Sequence, residues 1–306
     1  MRFERSVETL FQGSLVSIVD FRCWAVETRL LLPEATMRVP TLVIPRRGVF
    51  HWHVRGESIL GDPNQILFFD GGDPFRISYP QPGGDDCTFF AIHPELLNEI
   101  LGHYSPRAAE AAAPRFPASR ILSEPDLFLA HDLLLKRAHA RLDADPLSVE
   151  EGAVRLVASA VAAGGQGGRP AVRARAATRR LHRDVAETVK TLLAERLGER
   201  IALDEISRAV GVSPYHLCRI FQRQVGLPIH RYLNRLRLRA SLPWVAEPAR
   251  SLSEVALDLG YSSHSHFTDS FRREFGLSPS AFRRVATLRR LADLERRLRT
   301  SGSYES

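Results

Sequence analysis

From Leu15 to about His93, short apolar runs alternate with turn-forming residues. The runs are Leu15–Phe21, Trp24–Leu32, Thr41–Ile44, Val49–Val54, Ile66–Phe69, Phe75–Tyr79 and Thr88–Ile92. Between them stand Pro-Arg-Arg-Gly, Arg-Gly-Glu-Ser, Asp-Pro-Asn, Gly-Gly-Asp-Pro and Pro-Gly-Gly-Asp-Asp. Turns about every ten residues predict an antiparallel sandwich or small barrel. The period then changes. Pro94–His103 predicts a short helix. Leu127–Leu142 and Val149–Ala163 carry apolar residues at helical spacing and would pair as a hairpin across Asp143–Pro146. Gly164-Gly-Gln-Gly-Gly-Arg-Pro170 breaks the period and predicts a flexible linker. Beyond it the pattern is helical, including an amphipathic, Arg-rich tail at Leu288–Arg299. The reading is an α+β chain of two domains, 1–163 and 178–306, joined by a linker at 164–177.

Two stretches of the helical part have the same punctuation. A helix-turn-helix joins two helices at a steep angle through a tight turn. It needs a small residue where the helices touch and favours Gly in the turn, where the backbone is left-handed. In the first unit, about 203–226, Ile206 precedes small Ser207 and Val210-Gly211-Val212 makes the turn. Ser213-Pro214 opens the second helix as an N-cap followed by Pro. Leu217, Ile220 and Phe221 face inward, and Gly226 closes the helix. In the second unit, about 252–276, Ser251-Leu-Ser-Glu254 is a capping box. Val255 precedes small Ala256, Leu259-Gly260-Tyr261 makes the turn, Phe267 and Phe271 face inward, and Gly276 closes. The turn glycines are 49 residues apart and the closing glycines 50 apart. The repeat therefore carries one extra residue, expected early in the second recognition helix. Pro243, between the units, predicts a kink or stop near Leu242.

Charge sharpens this picture. Residues 1–170 hold 17 basic and 21 acidic side chains, net −4, whereas 171–306 hold 25 and 14, net +11. One half suits a polyanion and the other does not. Cys23, Cys87 and Cys218 are scattered and odd in number, which gives no disulfide framework or zinc knuckle. No signal pattern or membrane span is visible, so a cytoplasmic protein is expected.

The residues Leu203-Asp-Glu-Ile-Ser-Arg-Ala-Val-Gly211, Ser213-Pro-Tyr-His-Leu217, Phe221, Arg237-Leu238, Gly260-Tyr-Ser-Ser-His-Ser-His-Phe267 and Phe271…Phe275-Gly-Leu-Ser-Pro279 carry a specific resemblance. Leu181–Arg284 resembles the DNA-binding domain of the AraC/XylS family of bacterial transcription regulators. The resemblance implies seven helices, with a long central one (about Pro228–Val245) spacing two recognition helices. These would enter successive major grooves roughly 34 Å apart. Base edges would be reached by Tyr215, Cys218 and Arg219 in the first unit and by His264, Ser265, Thr268 and Asp269 in the second. Arg219 can grip guanine bidentately, His264 can donate or accept, and Asp269 can accept from cytosine. Arg208, Arg223, Arg272 and Arg273 would touch phosphate, which positions without specifying. His216 and His266, beside inward residues, suit packing or phosphate.

The run Asp62-Pro-Asn-Gln-Ile-Leu-Phe-Phe-Asp70, then Gly72, Pro74 and Pro82-Gly-Gly-Asp-Asp86, resembles the cupin-like sensor domain of many such regulators. That implies a small β-barrel followed by dimerising helices, here within Leu127–Ala163. Trp24, His51, Trp52, His53, Phe68 and Tyr79 are candidates to line an effector pocket. His51-Trp-His53 with Glu57 resembles the first metal motif of cupin enzymes. However, Gly48 and Gly61 are misplaced for it, and only the distant His93 offers a further ligand. No metal or other cofactor is expected, and no catalytic residue. The expected function is transcription regulation, with double-stranded DNA, a small-molecule effector and a second copy of the chain as partners. RNA polymerase is left open as another. Two alternatives remain: an N-terminal half that only dimerises, and a metal-dependent cupin enzyme fused to a DNA-binding domain. Relatives that transfer alkyl groups to Cys need a cysteine cluster that is absent here.

Overall fold

The structure, a computed structural model, describes residues 3–25, 30–104, 114–139, 145–166 and 176–284. The predicted tail helix at 288–299 lies outside the described residues. The chain divides into two compact units, Met1–Arg196 with Ile201–Leu236, and Leu197–Arg200 with Arg237–Ser306.

The first unit begins with the expected antiparallel β structure. Its strands are β1 (Phe3–Gln12), β2 (Val16–Ala25), β3 (Leu30–Leu31), β4 (Ala35–Thr36), β5 (Thr41–Gly48), β6 (Phe50–Val54), β7 (Glu57–Gly61), β8 (Gln65–Phe69), β9 (Pro74–Tyr79), β10 (Asp85–Ile92) and β11 (Arg120–Leu122). One sheet runs β1-β2-β10-β5-β8-β11. The other runs β3-β9-β6-β7, with β4 also on β9. Alternation along each strand divides the side chains between two cores. Cys23, Val43, Leu67, Phe69 and Cys87 face the other sheet, where they meet Phe50, Trp52, Ile59, Phe75 and Tyr79. On the opposite face, Ile18, Leu42, Ile44, Ile66, Phe68, Phe90 and Ile92 meet three helices. These are α1 (Pro94–Tyr104), α2 (Pro125–His139) and α3 (Pro146–Gln166).

Four strands were not legible as strands, among them the two-residue β4. β1 is an edge strand whose residues from Glu4 to Thr9 are all exposed, so no apolar face marks it. β7 begins inside the stretch read as a turn. Arg55 and Gly56 both take left-handed angles (φ 50° and 75°) and make a two-residue hairpin, which frees Glu57 and Ser58 to pair with β6. β11 has only three residues. Helix also extends into the segment read as a linker, whose residues 167–175 lie outside the described residues. α3 continues through Gly164 and Gly165. A Cβ on Gly164 would stand 3.3 Å from the Pro117 ring, so the missing side chain lets the helix lie close there.

His131 is buried in α2 and shares a 2.8 Å hydrogen bond with Thr88. Its Nδ1 has no partner among the described residues. Burial, reinforced by Arg46, pulls the imidazole down to about 3. The unfolded chain therefore takes up a proton near pH 6.5 that the folded chain refuses. Stability present above pH 6.5 is lost as pH falls toward 3. Between pH 7 and 5 this group alone should cost about 2 kcal/mol. Urea titration of the wild type and of His131→Gln at both pH values checks it. The variant should lose less, and an equal loss in both would contradict the assignment.

The first unit continues with α4 (Ala176–Glu195), α5 (Leu203–Val210), α6 (Pro214–Val225) and the start of α7 (Ile229–Val245). A buried polar network joins these helices to the sheets. Glu187 accepts from the Leu60 N–H at 2.7 Å, pairs with Lys190 at 2.7 Å and pairs with Arg120 at 2.6 Å. Lys190 also donates to the Leu60 carbonyl and to Gln65, both at 3.4 Å. The Tyr232 hydroxyl donates to Asp62, and the Asn64 side chain donates to the Tyr232 carbonyl at 2.9 Å. Burial, with Arg120 adding repulsion, pulls the Lys190 ammonium down to about 8, against the pull of Glu187 and Asp62.

The second unit holds the rest of α7, then α8 (Leu252–Asp258), α9 (His264–Phe275) and a helical segment at 279–284. The stop predicted at Pro243 does not occur, and α7 runs on to Val245. Pro243 forgoes a single N–H bond in the last turn. Ala246 then donates to the Leu242 carbonyl at 3.1 Å, so helical bonding resumes past it. Arg237 ties this unit together. It donates to the carbonyls of Leu197 (2.8 Å), Glu199 (2.6 Å) and Gly260 (3.3 Å).

Candidate nucleic-acid interface and inter-sheet cavity

The two helix-turn-helix units have the same internal geometry. In the first turn, Gly211 donates to the Arg208 carbonyl at 3.3 Å and Val212 to the Ser207 carbonyl at 3.2 Å. In the second, Gly260 donates to Leu257 at 2.9 Å and Tyr261 to Ala256 at 3.0 Å. Ser207 and Ala256 are buried where the helices touch, as the pattern requires. Ser213 caps α6 by accepting from the His216 N–H at 3.4 Å, and Ser263 caps α9 by accepting from His266 at 3.1 Å. Gly226 and Gly276 close both helices in the left-handed conformation. α6 and α9 each have 12 residues. The extra residue therefore sits in the second turn, at Ser262, and not in the recognition helix. Ser251 and Glu254 form the predicted capping box.

The two turn glycines differ in surroundings. Both have positive φ, 68° at Gly211 and 75° at Gly260. A Cβ on Gly211 would meet nothing within 4 Å, whereas one on Gly260 would stand 2.6 Å from the Gly198 carbonyl oxygen. Gly211→Ala should cost about 1 kcal/mol through backbone strain. Gly260→Ala should cost at least about 2, since backbone must also move. Thermal melts of the two variants compare them, and equal losses would contradict the close approach.

In α6 the inward Leu217, Ile220 and Phe221 are buried, and Tyr215, Cys218, Arg219 and Arg223 are exposed. The Arg219 guanidinium lies over the Tyr215 ring, 5.6 Å from its centre. Gln222 shares the exposed face one turn past Cys218 and Arg219. The sequence reading missed it, although its spacing from Tyr215 was a sufficient signal. Its side-chain amide can pair bidentately with adenine. In α9, Phe267, Phe271 and Phe275 are buried, and His264, Ser265, Asp269, Arg272 and Arg273 are exposed. Thr268 is half-buried with its hydroxyl turned inside and without a partner among the described residues. In this conformation its hydroxyl offers nothing to a base edge. Arg208 is exposed and pairs with Asp204 at 3.0 Å, one helical turn away. His266 shares a 3.2 Å hydrogen bond with Ser262 and packs edge-on to Tyr261.

The six candidate pocket residues are not brought together. A cavity of about 500 Å³ lies between the sheets, and only Tyr79 of the six lines it. Trp52 and Phe68 line a separate cavity of about 180 Å³ beside Asp70 and Asp73. Trp24 stands 43% exposed. His51 and His53 alternate with Trp52 and point away from the inter-sheet core. His53 bonds Ser78 at 2.7 Å, His51 is 3.4 Å from Ser58, and Glu57 is taken by Arg183. Among the described residues no three His, Cys, Asp or Glu side chains are placed to hold a metal ion. One apolar residue in two on each strand faces a core. The sequence alone does not say which of two cores, and that is why the pocket set was mixed.

The large cavity is walled by Phe21, Phe50, Phe69, Phe75 and Phe89. Its polar corner is Cys23, Tyr79, Asp85 and Cys87. The Tyr79 hydroxyl donates to one Asp85 oxygen at 2.5 Å, and the Cys87 thiol donates to the other at 2.9 Å. Burial raises the Asp85 carboxyl to about 6 against those two hydrogen bonds.

Comparison with known proteins bears on the C-terminal region. The profile of a family described as a helix-turn-helix domain matches residues 206–285. The probable transcription factor PqrA of Proteus vulgaris is 31% identical over 105 residues, which are 34% of this chain and 84% of PqrA. The regulatory protein SoxS of Salmonella typhimurium is 28% identical over 102 residues, 33% of this chain and 95% of SoxS. The match covers only 38% of the probable regulator LumQ of Photobacterium leiognathi and 27% of the regulator MtrA of Neisseria gonorrhoeae. Among solved structures, ToxT of Vibrio cholerae aligns over 93% of this chain and 98% of its own, at 9% identity and a TM-score of 0.34. A Chromobacterium violaceum regulator with an AraC-type DNA-binding domain aligns over 34% of this chain and 92% of its own, at 26% identity and a TM-score of 0.32. PqrA matches over most of its own length, and the helix-turn-helix profile at 206–285 spans both α6 and α9. The chain belongs to the AraC/XylS family of transcription regulators.

Proposed function

We propose that this protein is a sequence-specific DNA-binding transcription regulator controlled by a small molecule held between its sheets. The observation that carries the reading is the repeated helix-turn-helix. Two helices of equal length each bury one aromatic or aliphatic face and expose a polar one. In functional terms residues 1–166, through the end of α3, sense and dimerise, and residues 178–306 read DNA. The partners are duplex DNA, a second copy of the chain and, at the promoter, RNA polymerase. The site of action is the cytoplasm, and no residue is assigned a catalytic role. An effector acts only if it binds the DNA-competent and incompetent states unequally. The polar faces of α6 and α9 supply base contacts, and Arg208, Arg223, Arg272 and Arg273 supply phosphate contacts.

Arg219 gives the sharpest test. Arg219→Ala should cost about 1–3 kcal/mol on the specific site, relax one base position and leave random DNA nearly unaffected. Fluorescence anisotropy on both DNAs measures this. Equal losses on both would move Arg219 to a phosphate.

A further inference from the structure

We propose that the inter-sheet cavity takes a compact apolar molecule bearing one ammonium group, with the ammonium at Asp85 and the hydrocarbon against the phenylalanines. This rests on the effector reading above and names its ligand class. Asp85 is 3% exposed and lines the cavity. No Lys, Arg or His among the described residues forms an ion pair with it. Arg47 acts on it only from its own pair with Asp86, so no cation touches the Asp85 carboxylate directly. A buried carboxylate without a contacting cation is costly, and a cation brought to it relieves that cost. Tyr79 and Cys87 each use one lone pair of a different Asp85 oxygen. Each oxygen can accept once more, which suits the several donors of an ammonium. The walls point the same way. Phe21 and Phe89 stack at 5.0 Å, and Phe69 meets Phe75 edge-on at 5.0 Å, so aromatic faces and edges line the cavity. Aromatic faces attract cations through their quadrupole.

An acid fits less well. Among the described residues Arg5 is the only basic one in the lining, and it is exposed on the edge strand β1. In register it stands opposite Cys23, which stands opposite Asp85, two strands away. A carboxylate would have to stay at that rim or approach Asp85 against repulsion. The volume, about 500 Å³, is ample for a ring with a short chain.

The test is calorimetric titration of the full-length protein with 4-phenylbutylamine, 4-phenylbutanol and 4-phenylbutanoate. The amine should bind at least about tenfold more tightly than the alcohol, as a charge-assisted pair requires, and the acid should bind weakest. Asp85→Asn keeps an acceptor for Tyr79 and should erase the amine's advantage while leaving the alcohol unchanged. An alcohol or acid that matches the amine in the wild type overturns the ligand class but leaves an effector cavity standing. That comparison holds whether or not the variant folds. Survival of the amine's advantage in a folded Asp85→Asn also overturns it. No binding by any of the three overturns both the ligand class and the effector cavity.

Discussion

Lys190→Met should destabilise the first unit by about 3 kcal/mol, seen as a lower urea midpoint with little change in slope. Lys190 is 1% exposed and holds Glu187, Gln65 and the Leu60 carbonyl together. Removing one member of a buried pair typically costs about 3–5 kcal/mol, because the other charge stays buried. Two features place this case at the low end. Glu187 keeps Arg120 and the Leu60 N–H. Asp62, whose carboxyl burial already raises, can take a proton. Methionine keeps most of the lysine's volume, so packing loss is small. A cost under about 1 kcal/mol would mean that Lys190 is not the cation holding the network. The network joins β7 and β8 to α4 and α7, so a folding defect here should also lower DNA affinity.

The second large effect is salt dependence. Arg208, Arg223, Arg272 and Arg273 are all exposed and assigned to phosphate. Four phosphates neutralised predict a slope of log affinity against log salt of about −3.6. Raising salt from about 50 to 200 mM should then weaken binding by roughly 150-fold. Arg272→Ala should flatten the slope by about 1. Arg208→Ala should do less, since Asp204 already pairs with that guanidinium. A slope near zero would contradict the docking of this basic face on DNA.

The helix-turn-helix units were legible because their requirements are local. Gly211 and Gly260 must be left-handed, Ser207 and Ala256 must be small, and Ser213 and Ser251 must cap. Each of these is written in one residue. The position of the extra residue was not legible, because Ser262 and Ser263 are both acceptable caps. The N-terminal strands with one apolar face were also legible. β1 was not, since an exposed edge strand lacks alternation, and Pro243 misled because its cost depends on how many turns follow it. The inter-sheet cavity was least legible. Its residues come from eight strands paired across the sequence, and Cys23, Asp85 and Cys87 carry no local signature of a pocket.

In vitro selection of random DNA by the full-length protein decides whether both units read bases. The full chain is the right reagent because α5, α6 and the start of α7 belong to the same compact unit as the sheets. Two short enriched blocks, about one helical turn apart, are the predicted result. A single enriched block would contradict reading by both units, and no enrichment at physiological salt would contradict sequence-specific binding itself.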